Sequence, residues 1–122
     1  MTTILVCDTC RYSKAEKLFN ERTGGEILAD LLETAAGAGI RIKRHSCLMG
    51  CDNHCNIAIR DNGKLTYVLG RFNPTQDSAD AIAEFAAGFT ASDTGRVPFR
   101  EWPQGVKGHF VSRVPPIEHD DE

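Results

Sequence analysis

Two runs that read as β-strands each end in a cysteine group, and a helix signal lies between them. Thr3-Ile4-Leu5-Val6 is short, β-branched and continuously apolar, the composition of a strand buried on both faces, and it stops at Cys7-Asp8-Thr9-Cys10. Ile40-Arg41-Ile42-Lys43-Arg44-His45-Ser46 begins by alternating apolar and basic residues, the period of a half-buried strand, and runs into Cys47-Leu48-Met49-Gly50-Cys51-Asp52-Asn53-His54-Cys55. Between them Thr23-Gly24-Gly25-Glu26 fits a capping box. Ile27, Leu28, Leu31, Leu32 and Ala35 then recur on one helical face, and Gly37 and Gly39 end the pattern. Two strands joined by a helix need a crossover, which is right-handed and makes them parallel, so their carboxyl ends share one edge of the sheet. Ligands bind at that edge in open α/β sheets. Cys7 and Cys47 are expected there together, although 39 residues separate them in the chain.

The remaining segments complete a small α/β pattern. Asp8 to Arg22 is polar and weakly patterned, with Arg11, Lys14 and Lys17 close behind the first cysteine pair, and reads as a loop with one helical turn at most. Asn56-Ile57-Ala58-Ile59-Arg60 and Leu65-Thr66-Tyr67-Val68-Leu69 flank Asp61-Asn62-Gly63, a hairpin signal. Asn73-Pro74 suits a helix cap and first helical position, and Ile82, Phe85, Ala86 and Phe89 supply the apolar face of a second helix. From Asp93 the chain turns irregular and proline-rich. Phe99, Trp102 and Phe110 suggest an extended arm laid on the domain, with Phe99 and Trp102 packed on its core, and the acidic end is expected to be disordered. Residues 1–92 therefore form the domain and 93–122 the arm. The order β-α-β-β-β-α is that of a thioredoxin-like α/β fold.

Composition bounds what such a chain can do. At 122 residues it is one domain that can bury a core without disulfides, and 41% hydrophobic with 25% charged residues is ordinary for a globular protein. No apolar run reaches membrane-spanning length, and Met1-Thr2-Thr3 leads straight into a strand instead of a signal-peptide core, which places the chain in the cytoplasm and off the membrane. In a reducing compartment an odd five cysteines point to metal or redox chemistry in preference to a disulfide framework. The net charge of −3 owes much to Glu118, Asp120, Asp121 and Glu122. The nearly neutral remainder supports neither a nucleic-acid surface nor the strongly acidic face of many electron carriers.

The CDTCR start, CLMGCDNHCNIAI, KLTYVLG, VPFREWP and SRVPP together resemble a family of small bacterial proteins of unknown function, described as predicted metal-binding, over nearly the whole chain. Members of that family often occur beside cobalamin-synthesis genes. The family in turn is similar to the thioredoxin-like 2Fe-2S ferredoxins, in which a C-L-x-G-C-like segment follows the second strand. Cys47-Leu48-Met49-Gly50-Cys51 matches that spacing. The first pair departs from it, because those ferredoxins space their first two cysteines more widely than Cys7 and Cys10, and Cys55 is additional.

Thiolate is the soft ligand that selects iron-sulfur clusters, zinc or copper(I). A 2Fe-2S cluster needs four thiolates, which Cys7, Cys10, Cys47 and Cys51 can supply, with Cys55 as the alternative ligand. This is the preferred reading: an electron carrier, not an enzyme by itself, serving an unidentified redox partner protein, with a homodimer compatible. Zinc or cobalt on the same sulfurs makes a metal-binding or delivery protein, although a zinc ribbon usually joins its knuckles by a shorter segment. A thiol-disulfide oxidoreductase using Cys7-Asp8-Thr9-Cys10 leaves Cys47, Cys51 and Cys55 unexplained. Buried cysteines acting as small hydrophobes would explain one cysteine better than five clustered at strand ends. His45 and His54 flank the site and read as solvent-facing, outside the ligand set. Arg41, Lys43 and Arg44 form either a basic rim that meets an acidic partner or simply the solvated face of a strand. Nothing resembles a hydrolytic triad, a phosphate loop or a paired-carboxylate site.

Overall fold

The computed structural model describes residues 2–7, 18–19, 21–36, 39–45 and 56–114. It is a mixed α/β arrangement in which a five-stranded sheet carries two helices. The strands are β1 (Thr2–Cys7), β4 (Ile40–His45), β5 (Ile57–Arg60), β6 (Thr66–Leu69) and β7 (Phe110–Val114), in the spatial order β4-β1-β5-β6-β7. A separate two-residue hairpin pairs β2 (Leu18–Phe19) with β3 (Arg22–Thr23). The sheet is mixed: β1 runs parallel to β4, and every other pairing is antiparallel. The expected parallel pair is thus present, with Thr2 opposite Ile40 and Cys7 opposite His45.

Helix α1 (Gly24–Ala35) starts where the capping box predicts. The Thr23 hydroxyl accepts from the Glu26 N–H at 3.2 Å, and the Thr23 N–H donates back to the Glu26 carboxylate at 3.2 Å. These contacts satisfy two of the orphan donors at a helix start. The helix closes with the Ala36 N–H donating to the Leu32 carbonyl, and Gly39 takes a positive φ of 87° to start the turn into β4. Helix α2 (Gln76–Ala91) begins two residues later than Asn73-Pro74 suggests. Thr75 is its cap, because its hydroxyl reaches the Ser78 N–H at 3.3 Å.

Both helices pack on each other and on the same side of the sheet. Strand periodicity sends Ile4 and Val6, Ile57 and Ile59, and Tyr67 and Leu69 to that side, where they meet Leu28, Leu32, Ile82, Phe85 and Phe89 in one core. Tyr67 lies at its centre, fully buried. Its ring meets Phe85, Phe89, Trp102 and Phe110 edge-on, with centroids 5.1 to 6.5 Å apart, and its hydroxyl accepts from the Val97 N–H at 3.0 Å. These are the favoured aromatic geometries and a satisfied polar tip.

Three segments differ from the sequence expectation. Residues 18–19 and 22–23 pair as a hairpin within the stretch expected to be a loop, too short for a periodic pattern, with Glu21 at a positive φ of 66° beside the turn. The C-terminal stretch is more than an arm. After a 3-10 turn at Phe99–Glu101 it returns as β7 and pairs with β6 through an irregularity at Val68/Leu69. Residues 110–114 are all solvent-exposed and only Phe110 reaches the buried rings, so burial imposed no alternation of the kind that marks a strand in sequence. Trp102 does pack against the core and donates from its indole to the Val97 carbonyl at 2.8 Å, whereas Phe99 is 62% exposed and rests on Trp102 instead. The expected disorder of the acidic end falls on residues 115–122, outside those described.

Candidate metal centre

Cys7 is the last residue of the strand one in from the β4 edge, and it is 3% exposed. On one side it is in register with His45, the last residue of β4. On the other its N–H donates to the Asn56 carbonyl at 3.2 Å, one residue before β5 starts. Three chain positions, Cys7, His45 and Asn56, therefore form one row at one edge of the sheet. The chain leaves this row after Cys7 and after His45 and re-enters it at Asn56, so both cysteine-bearing stretches are anchored there. Cys10, Cys47, Cys51 and Cys55, like His54, lie outside the described residues. Among the described residues no three His, Cys, Asp or Glu side chains group as a metal site.

The surroundings of the row are fixed by charge as well as by pairing. Asp30 on α1 bonds Arg22 of β3 and Arg44 of β4, and Arg44 also bonds Glu33 at 2.9 Å. The Arg44 and then the Arg22 guanidinium hold the Asp30 carboxyl below its ordinary value, and Asp30 in turn raises Arg44. This network ties the helix to the strand that delivers His45. It also corrects the expected basic rim, because Arg44 turns to the helix side while Arg41, Lys43 and His45 are exposed on the other. His45 faces solvent, as expected. Asn56 was not anticipated. Its backbone carbonyl and its place in the register bring it beside Cys7, and neither is signalled by the identity of a side chain.

The fold and this edge define a small mixed α/β protein that gathers the ends of cysteine-bearing segments beside a buried cysteine. The chain belongs to the DUF1636 family, described as protein of unknown function, whose model matches residues 4–116. No curated protein and no solved structure matches it. Among the described residues no helix is long and apolar enough to cross a membrane.

Proposed function

We propose that the protein is a small iron-sulfur electron carrier that holds a 2Fe-2S cluster on Cys7, Cys10, Cys47 and Cys51 at this sheet edge. The observation that carries the reading is the row His45, Cys7 and Asn56. A trans-linked chain spans at most about 3.6 Å per residue, and neighbouring strands lie about 4.8 Å apart. Cys47 follows His45 by two residues, so covalent geometry alone keeps its Cα within roughly 12 Å of that of Cys7. Cys55 immediately precedes Asn56, and Cys10 follows Cys7 by three residues. Burial of Cys7 is compatible with a ligand shielded from water. The strand order, a parallel pair extended by an antiparallel hairpin with both helices on one side, supports the thioredoxin-like ferredoxin reading.

A bound cluster would supply one-electron transfer; the chain's own residues hold and shield it. Backbone N–H groups near the cysteines tune such a centre by hydrogen bonding to sulfur. The resemblance connects the electron step to cobalamin synthesis or metal handling in the cytoplasm.

Anaerobic purification after iron-replete expression tests this. The expected product is red-brown with about two irons and two sulfides per chain. Cys7→Ser, Cys47→Ser and Cys51→Ser lose or strongly weaken the cluster, because a hydroxyl is a poor soft-metal ligand, while Cys55→Ser keeps it. Loss in Cys55→Ser with retention in Cys10→Ser exchanges those two residues in the ligand set. Colourless protein with stoichiometric zinc rejects the cluster, and tetrahedral thiolate bands on cobalt substitution then mark the metal-delivery reading.

A further inference from the structure

The side of the sheet away from the helices is lined by strand positions that alternate with the core residues. The register aligns them in rows. Arg41, Thr3, Arg60, Thr66 and Val114 form one row, and Lys43, Leu5, Ala58, Val68 and Ser112 the next. The row of His45, Cys7 and Asn56 follows. Arg41, Lys43, His45 and Arg60 are exposed, and Leu5, Ala58 and Val68 are half-buried. Among the described residues Arg41, Lys43 and Arg60 make no ion pair, and the strand positions of these rows include no carboxylate. A chain of net charge −3 thus carries a cationic set at the described positions of this face, while Asp30 and Glu33 pair with Arg44 on the helix side.

We propose that this cationic face docks an acidic protein surface. Arg41 and Arg60 flank Thr3 on either side, which sets their Cα atoms about 10 Å apart, and Lys43 lies about 7 Å along the strand from Arg41. These three cations border a small apolar strip of Leu5, Ala58 and Val68 along the β4 edge and the Thr3 row. That layout suits three carboxylates beside a modest apolar contact, and unlike charges steer and register such an encounter. A second copy fits poorly, since a self-complementary contact would set the same three cations against each other. Nucleic acid fits poorly too: three cations neutralise few phosphates, and no aromatic side chain stands at these strand positions to stack a base. The face borders the Cys7 row, so a partner seated on it lies beside the proposed centre. The docking itself does not depend on which metal the cysteines hold.

The test uses the full chain and a fluorescein-labelled oligoglutamate peptide, read by anisotropy, with amide shifts mapping the contact. The peptide is expected to bind, to move the amides of Thr3, Leu5, Arg41, Lys43, Ala58 and Arg60 but not those of Leu28 or Phe85, and to weaken steeply with salt. Arg41→Gln/Lys43→Gln/Arg60→Gln weakens binding about tenfold or more, whereas Arg96→Gln/Arg100→Gln, which removes two exposed cations elsewhere, binds like the parent. The glutamine triple variant is a surface change expected to keep the parent melting temperature; Arg41→Gln/Lys43→Gln serves as a second variant with a proportionate loss. Absence of peptide binding at about 1 mM in low salt overturns the proposal. So does equal weakening in both variant sets, equal affinity for a short DNA duplex, or a dimer that the triple variant dissociates. Movement of the same amides on removing residues 115–122, without peptide, assigns the face to the chain's own acidic end and overturns it as well. Iron content is measured separately, so failure here leaves the cluster reading standing.

Discussion

The two sides of one sheet have opposite characters, although they alternate residue by residue along the same strands. Tyr67 is fully buried among four rings, while Val68, the next residue, is half-exposed in a row that contains Lys43. On the helix side, position is fixed by packing, and each side chain has many partners. On the other side, the register sets the rows of the described residues. A sheet of this kind is stabilised from one side and can vary its contacts on the other.

Substitution at those two adjacent residues makes the sharpest test. Tyr67→Ala removes a fully buried ring and should destabilise the fold by about 3–5 kcal/mol, whereas Val68→Ala should cost less than about 1 kcal/mol. Chemical denaturation measures both, and comparable losses would break the contrast between the sides. Gly95 gives the next effect. It holds a positive φ of 84°, and an added Cβ would meet the Phe89 ring at 2.7 Å and Lys64 Cβ at 2.9 Å. Gly95→Ala should therefore cost at least about 2 kcal/mol, combining left-handed strain with a clash at the edge of the core. Gly63, with a φ of 74° and open space around it, bears only the strain, so Gly63→Ala should be milder by the same assay.

Asp30 supplies the smallest effect, because it bridges Arg22 and Arg44 at the exposed rim of the helix side. With its side chain 44% exposed, solvent screens the bridge, and Asp30→Asn should cost no more than about 1 kcal/mol at neutral pH. The sign follows from the direction of the shift. A carboxyl whose folded value lies below 3.8 adds stability above that value and loses it as pH falls through the folded one. Parent and variant should thus converge below about pH 4. A gap that widens in acid would show that the bridge is not what Asp30 contributes.

What could be read before the structure follows the same division. The capping box at Thr23 and Glu26, the Asp61-Asn62-Gly63 turn and the crossover that makes β1 and β4 parallel all arise from local chemistry or chain handedness. So does the helix-side core, whose periodicity is imposed by burial. β7 carries no such imprint, and neither does the arrival of Arg60 beside the basic set, which depends on which residue the pairing brings opposite Thr3. Asn56 beside Cys7 is likewise a fact of register. Strand alternation alone sets Arg44 on the face opposite Arg41 and Lys43.

The late position of β7 also matters while the chain is being made. β6 is complete by Leu69, yet the strand that covers its outer edge begins only at Phe110, after α2 and the 3-10 turn. A nascent chain emerging N-terminus first must hold β6 as an open edge through the synthesis of 40 intervening residues, with the backbone groups that later pair with β7 left unpaired. Vectorial synthesis therefore leaves a window in which that edge can recruit a neighbouring chain, and α2, arriving first, shelters its apolar side before the edge itself is closed.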